Sequence, residues 1–156
     1  MTTKLLWVPP VIMSMSVANN EVWLDGLEYQ DEITQDPIDL TGIAFQMEMR
    51  LVATAATVVL RATSDNSYIR VAGNTWQFQV PGEVMVTIPP AIYVYDMLGL
   101  ADGLTRRLAR GEVTVELGVT RIFGYDTSAN ILATSADANR IRKVRASRLA
   151  GMREAA

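Results

Sequence analysis

Six carboxylate side chains lie close together in the first quarter of the sequence. Of all the side chains in this protein, their type and spacing come nearest to those of a metal site or a catalytic site. They are Asp25, Glu28, Asp31, Glu32, Asp36 and Asp39. Carboxylate oxygens are the ligands that Ca²⁺ and Mg²⁺ prefer, and a close pair of carboxyl groups serves as general acid and base. The segment lacks the alternating acidic ligands of a calcium-binding loop. We therefore expect a solvated acidic edge, with neither a metal nor a catalytic role.

Composition removes most other catalytic arrangements. The 156-residue chain contains no Cys and no His, which excludes thiol nucleophiles, disulfides, zinc sites built from these residues and imidazole acid–base chemistry. Its glycines form no run of the kind that cradles phosphate. We expect a protein that is not an enzyme and that uses no cofactor and no metal.

Basic residues gather at the opposite end of the sequence from these carboxylates. Residues 136–156 carry six basic and two acidic side chains, a net charge of +4, whereas residues 1–135 carry eight basic and fifteen acidic ones, a net charge of −7. Opposite charges in one chain suit docking between copies or onto a neighbouring protein, although both regions are also compatible with simple solvation. No aromatic residue lies among the tail arginines, so we expect a protein partner with an acidic groove rather than nucleic acid.

Three tryptophans, Trp7, Trp23 and Trp76, are candidates for stacking on a sugar. Trp76 alternates with Phe78 and Val80, which is typical of a core position. The surroundings of Trp23 fit a core position and an interface equally well.

Residues 1–21 form an apolar stretch that superficially resembles a secretory signal. The dipeptide Pro9-Pro10 would break a helix there, and the run is shorter than the roughly 20 residues that span a bilayer. We expect an extended apolar N-terminal arm that makes no membrane contact and packs on its own domain or on another subunit. In that interpretation Trp7, Ile12 and Met13 contact the partner.

Short apolar and polar alternations between turn residues predict the elements that would position these groups. In the segment Phe45–Leu51, for example, every second residue is apolar, which is the period of a half-buried strand. We predict strands at Val22–Tyr29, Ala44–Val52, Thr57–Thr63, Tyr68–Val71, Thr75–Val80, Val84–Ile88, Ile92–Leu98 and Leu104–Val119. Apolar faces of this kind need a second sheet to cover them. The fold class that we predict is all-β, an immunoglobulin-like antiparallel β-sandwich over residues 22–122.

Residues 123–156 differ in character and form a basic C-terminal tail. Ser135 is placed to cap a helix in which Ala138, Ile141 and Val144 share one face with Leu149. Because arginines interrupt that face, we expect a helical or extended tail that gains its order from a partner. The tail residues that we assign to partner binding are Arg140, Arg142, Lys143, Arg145 and Arg148.

Several short segments, read together, resemble a family of known proteins. They are Pro37-Ile-Asp-Leu-Thr-Gly42, Phe45-Gln-Met-Glu-Met-Arg50, Tyr93-Val-Tyr-Asp96, Gly103 with Arg106-Arg-Leu108, Gly111-Glu-Val-Thr-Val115 and Val119-Thr-Arg121. This set resembles a small family of tailed-bacteriophage and prophage virion proteins, similar to the N-terminal domain of some baseplate upper proteins. The match covers about residues 22–122.

The resemblance implies an immunoglobulin-like structural virion protein of the tail, baseplate or neck. Such a protein is assembled in the bacterial host cytoplasm, is present in multiple copies in a symmetric assembly, and binds other virion proteins, including subunits near the portal. Two alternatives stay open, a capsid decoration protein and a carbohydrate-binding module for the host surface. Tyr93 and Tyr95 share one face of a late strand, where a tyrosine hydroxyl bonded to backbone often locks the corner of such a sandwich.

Overall fold

The computed structural model of the protein describes residues 9–120 and the backbone of residues 141–146. In these residues it contains ten strands and one short helix. They are β1 Val11–Ile12, β2 Met15–Ala18, β3 Gly26–Asp31, β4 Ala44–Arg50, β5 Leu60–Thr63, β6 Ile69–Ala72, β7 Thr75–Phe78, α1 Gly82–Met85, β8 Ala91–Ala101, β9 Leu104–Glu116 and β10 Ile141–Ala146. The prediction of a mainly β protein is confirmed, and every predicted strand except Val84–Ile88 overlaps an observed one.

The first sheet has the strand order β1-β9-β8-β4-β5, and β2 also pairs with β9. The pairs β9–β8, β8–β4 and β4–β5 are antiparallel, whereas β1 and β2 run parallel to β9. The turn between β8 and β9 consists of Asp102 and Gly103, both with positive φ (52° and 74°). An Asp-Gly pair is strongly favoured in such two-residue hairpin turns.

The second sheet has the order β10-β3-β7-β6. Strand β7 is antiparallel to both β3 and β6, and β10 is parallel to β3. Both sheets thus carry a parallel pair at one edge, and the predicted antiparallel arrangement holds for the strands between those edges.

One hydrophobic core lies between the two sheets. The alternating apolar residues of β4 are buried, and Phe45 in that strand lies with its ring centroid 6.3 Å from that of Trp76 in β7. Trp76 makes an edge-to-face contact with Phe78 at 5.1 Å, and Trp23 stacks on the same ring at 4.2 Å. These contacts join the inner faces of the sheets, and they place both Trp23 and Trp76 in the core.

The predicted strand at Val84–Ile88 is wrong, because this segment contains the second half of helix α1 and the turn after it. The amide groups of Val84 and Met85 donate to the carbonyl of Pro81, each at 3.0 Å. Met85 and Ile88 point into the core, three residues apart, whereas the residues between them are exposed. That spacing belongs to a helical turn, and the prolines 89 and 90 that follow have no amide hydrogen to donate to a strand ladder.

Residues 11–18, which the sequence assigns to the arm, contain strands β1 and β2 of the first sheet. Met13, Met15 and Val17 alternate into the core, and the hydroxyl of Tyr95 donates to the carbonyl of Met13 at 2.6 Å. A side chain at Gly111 would overlap the backbone of Met13, so the glycine allows the two segments to approach. The arm was expected to pack either on its own domain or on another subunit. Residues 11–18 pack on their own domain.

Residues 141–146 form a strand rather than the helix considered for the tail. Strand β10 runs parallel to β3, and its register places Lys143 opposite Glu28 and Arg145 opposite Gln30. Pairing satisfies the backbone groups along this edge of β3, which a weakly amphipathic helix would leave open. The basic segment is thereby aligned with the acidic segment of the same chain.

Candidate functional site

The early carboxylates shape turns. Asp31 Oδ1 accepts hydrogen bonds from the amides of Ile33 (2.9 Å) and Thr34 (3.1 Å). Asp39 Oδ1 accepts from the hydroxyl of Thr41 (2.7 Å) and from its amide (3.0 Å), and these two bonds lower the pKa of the Asp39 carboxyl. No cluster of three or more metal-ligating side chains occurs among the described residues. These are the local side-chain bonds by which Asp residues stabilise turns.

The two tryptophans within residues 9–120 are fully buried and have hydrogen-bond partners. Trp23 Nε1 donates to Asp25 Oδ2 at 2.9 Å, and Trp76 Nε1 donates to the hydroxyl of Tyr29 at 3.4 Å. Burial raises the pKa of Tyr29 to about 12, although the bond from Trp76 opposes the shift. Neither indole is accessible for stacking on a sugar.

An open groove of about 440 Å³ lies on the outer face of the first sheet. The strand register aligns Arg61, Glu48, Asp96 and Arg110 across that face. Glu48 accepts hydrogen bonds from Arg61 (2.5 Å) and from Arg50 (2.7 Å), and the bond from Arg61 is the main cause of the lowered pKa of the Glu48 carboxyl. Charges of both signs alternate along the groove, which stabilises the sheet modestly and favours no ligand by net charge.

A different surface lies where several strands of the first sheet end together. The register pairs Arg50 of β4 with Val94 of β8, and Ala18 of β2 with Glu116 of β9. The carboxyl ends of β2, β4 and β9 and the start of β8 therefore meet at one end of the sheet.

Exposed apolar side chains concentrate at that end. Of the ten large hydrophobic residues that are exposed in the described chain, six lie there, with exposed fractions from 50% for Val86 to 93% for Val119. We call this surface the apolar end and define it by Leu51, Val52, Val86, Ile92, Leu117 and Val119. Exposed apolar side chains grouped in this way are typical of surfaces that bind another protein.

A buried asparagine fixes the segments that carry these side chains. Asn19 is 7% exposed; its Nδ2 donates to the carbonyl of Ile88 at 3.2 Å, and its Oδ1 accepts from the amide of Gly118 at 3.0 Å. Asn20 Nδ2 donates to the carbonyl of Thr120 at 2.8 Å, and a side chain at Gly118 would overlap Asn20. The segments before β8 and after β9 are thus tied to the turn after β2.

The loop between β4 and β5 is held in a similar way. Residues 51–60 contain no charged side chain. The guanidinium of Arg50 donates to the carbonyls of Ala55 (2.7 Å) and Ala56 (3.0 Å). These bonds connect the middle of an uncharged loop, which contains Leu51 and Val52 of the apolar end, to the last residue of β4.

The residues that the sequence assigned to partner binding are distributed over several places. Ile12 is 70% exposed and lines the groove, whereas Met13 is 2% exposed and belongs to the protein's own core. Arg142, Lys143 and Arg145 are positions of strand β10. The other three, Trp7, Arg140 and Arg148, lie outside the described residues.

Sequence reasoning missed the apolar end. Leu51 and Val52 continue the apolar character of β4, so they were assigned to that strand, and Leu117 and Val119 were assigned to β9. The one signal available was the uncharged run from residue 51 to residue 60. Alternation alone does not show where a strand stops.

The chain matches no protein-family model, and no curated protein shows significant sequence similarity to it. Within the part of the chain that the structure describes, no helix is long and apolar enough to cross a bilayer.

Proposed function

We propose that this chain is a non-enzymatic structural protein of a tailed-bacteriophage particle. It is an immunoglobulin-like module of the tail, baseplate or neck that assembles with other virion proteins. The apolar end is the observation that supports this role, because hydrogen bonds hold the backbone segments that carry its exposed side chains. A surface already held in place loses little conformational entropy on binding.

The strand order supports the immunoglobulin-like part of this proposal. If strands β3 to β9 are lettered B, C, C′, D, E, F and G, the sheets read G-F-C-C′ and B-E-D. That is the order of a variable-type immunoglobulin sandwich. In addition, the hydroxyl of Tyr93 donates to the carbonyl of Pro89 at 2.5 Å, which is the arrangement of the tyrosine corner at the start of strand F. The cysteine-free core has no inter-sheet disulfide.

The phage part of the proposal rests on the sequence resemblance. The shared motifs lie at positions that shape the fold: Asp39 and Thr41 form a turn, Tyr93 locks a corner, and Tyr95 holds the backbone of Met13. In this proposal the protein is assembled in the host cytoplasm and is part of the virion. A carbohydrate-binding role receives no support from the buried Trp23 and Trp76.

Labelling of intact particles tests the location. Antibodies against this chain, coupled to gold and applied to purified virions, should label the tail, baseplate or neck at several copies per particle. Label on the capsid would instead identify a decoration protein. Purified virions that contain none of this chain, judged by mass spectrometry, would refute the structural role.

Matched surface variants test the proposed interaction surface. The double substitution Leu117→Ser and Val119→Ser should reduce incorporation of the chain into particles. The control is Ile33→Ser. Ile33 is 68% exposed and lies in the connection from β3 to β4. This connection enters β4 at the end of the first sheet that is opposite the apolar end. Equal incorporation of both variants would exclude the apolar end as the assembly surface.

A further inference from the structure

We propose that two copies of this chain associate through the outer faces of their first sheets, related by a two-fold axis that crosses the strands at the level of Tyr95. The same surface of each copy then meets itself, which is the commonest symmetry of soluble oligomers. The contact is centred on the open groove of that face, which Val94, Tyr95 and Gly111 help to line. The inference goes beyond the virion role proposed above, and the apolar end stays the surface assigned to that role.

Three neighbouring strands share one level at Tyr95. The register aligns Tyr95 of β8 with Gly111 of β9 and with Met49 of β4. Tyr95 and Met49 point into the core, so the residues on either side of that level point outward. A two-fold axis that lies between two facing sheets and runs across the strands at that level exchanges these flanking residues. Each strand then faces the same strand of the second copy in the antiparallel direction.

Strand β9 carries opposite charges on the two sides of this axis. Arg110 precedes Gly111 and Glu112 follows it, and both charged side chains are exposed. The axis places Arg110 of one copy opposite Glu112 of the other, and a symmetric pair contains this contact twice. Within residues 9–120, neither Arg110 nor Glu112 has an ion-pair or side-chain hydrogen-bond partner, so both are available to a second copy.

Strand β4 carries opposite charges about the same axis, in the reverse order. Glu48 lies at the level of Arg110, and Arg50 lies at the level of Glu112. The axis therefore places Glu48 of one copy opposite Arg50 of the other. Two strands that are separated by β8 thus have charges that are complementary about a single axis. Solvation of the face requires no such relation between strands, whereas complementary charges across an interface fix its register.

Strand β8, which lies between them, supplies apolar contact. Ile92 and Leu98 both point outward and lie three residues from Tyr95 on either side, so the axis places Ile92 of one copy opposite Leu98 of the other. Ile92 is 57% exposed and Leu98 is half-buried. Their contact removes apolar surface from water on both sides of the axis.

No charged residue that lines the groove meets a like charge in this arrangement. Asp96 comes opposite Val94 of the second copy and keeps Arg110 of its own chain as its neighbour across the strand pair. Arg107 lies at the level of Leu98 and comes opposite Thr114, which lies at the level of Ile92. Each copy therefore brings the charges of the other face next to opposite or uncharged groups.

The other segments of this chain match the face less well than a second copy does. Residues 1–8 have one charged side chain, residues 121–140 have four, and residues 147–156 have three. None of these segments places opposite charges two residues apart, which is the spacing of Arg110 with Glu112 and of Glu48 with Arg50. Charge complementarity thus favours a second copy as the occupant.

Exchange of the charges at positions 110 and 112 of the full-length chain tests this contact. Sedimentation velocity over a wide concentration range should show a monomer–dimer equilibrium for the wild type. The control Arg70→Glu should dimerise equally well, because Arg70 is an exposed residue of β6 in the other sheet. Arg110→Glu and Glu112→Arg should each raise the dissociation constant of the dimer about tenfold or more, since each turns two attractive pairs into two repulsive ones.

Two restorations distinguish this symmetry from other contacts. The double variant Arg110→Glu with Glu112→Arg should dimerise like the wild type, because the axis again brings opposite charges together. An equimolar mixture of the two single variants should form a heterodimer, because one copy presents two carboxylates to two guanidinium groups of the other. Melting temperatures show whether the variants are folded. Arg110→Glu places a carboxylate opposite Asp96 of its own chain, whereas Glu112→Arg lies opposite Val94 and keeps the test valid if the first variant is unstable.

Three results would overturn the proposal. They are a wild type that stays monomeric at every concentration, single variants that dimerise as tightly as the wild type, and folded single variants whose mixture and double variant stay monomeric. Each result leaves the role of the apolar end untouched, because incorporation of the variant at Leu117 and Val119 into particles tests that role separately.

Discussion

The hydrophobic core and the apolar end contain the same kinds of side chain, but those of the core are buried and those of the apolar end are exposed. Trp76 and Phe78 are completely buried, whereas Leu117 and Val119 are mostly exposed. The core residues alternate along paired strands, so a second sheet covers them. The residues of the apolar end lie where strands stop, and no second layer of the described chain extends over them. The alternating residues of paired strands are thus buried within the chain itself. The apolar residues at the strand ends stay exposed.

The two regions also differ in what holds them. Ring and aliphatic packing stabilises the core, as in the contact of Trp23 with Phe78. At the apolar end, Asn19 holds the neighbouring segments in place by hydrogen bonds to the backbone of Ile88 and Gly118. Substitutions in the core should therefore change folding stability, and substitutions of the exposed residues should change assembly alone.

The largest effect on stability is expected for Trp76→Ala. This change removes a fully buried indole from the contact between the sheets and should lower the free energy of unfolding by about 3–5 kcal/mol. Urea denaturation followed by circular dichroism measures it, with Val86→Ala as the control at an exposed site. A loss below about 1 kcal/mol would contradict the central position of Trp76.

Alkaline pH should destabilise the core through Tyr29. Burial raises the pKa of Tyr29 from 10.0 to about 12 in the folded protein, so folding favours its neutral form. This contribution is complete below pH 10 and is lost as the pH rises toward 12, by about 3 kcal/mol. The free energy of unfolding of the wild type should fall more steeply over this range than that of Tyr29→Phe, which has no hydroxyl to ionise. Parallel slopes would contradict the prediction.

Asn19→Ala should have an intermediate effect, because it affects the frame of the apolar end and not the core. It removes the hydrogen bonds that Asn19 makes with the carbonyl of Ile88 and the amide of Gly118, which should cost about 1–3 kcal/mol. Hydrogen exchange should become faster at residues 117–120. The control Asn20→Ala, which removes an exposed hydrogen bond, should have a smaller effect on stability. Unchanged exchange in Asn19→Ala would show that the frame does not depend on this side chain.

The smallest effect on stability is expected for Val119→Ser. The side chain of Val119 is 93% exposed, so the free energy of unfolding should change by no more than about 0.5 kcal/mol. Incorporation of the chain into particles should nevertheless weaken, as measured by the amount of this chain in purified virions. A large loss of stability would mean that the apolar end belongs to the core, and the comparison of the two regions would fail.

The sequence alone was sufficient to predict the features that depend on a few consecutive residues. Alternation in Phe45–Arg50 and in Trp76-Gln-Phe78 predicted strands and their buried faces. Each of these features depends on the conformational preferences of a few consecutive residues. The helical turn at Gly82–Met85 was not predicted, because four residues are too few to distinguish the period of a helix from that of a strand.

Only the tertiary structure decided where both ends of the described chain lie. Residues 11–18 become a parallel edge because Gly111 permits the approach and the Tyr95 hydroxyl, 82 positions from Met13, holds it. Strand β10 likewise depends on an edge of β3 more than 100 residues earlier. The apolar end exists only because β2, β4, β8 and β9 bring their ends together, with Asn19 bonded to Gly118 across 99 positions. Parallel edges and shared strand ends arise from pairings between distant segments, and the periodicity of any one segment contains no information about its distant partner.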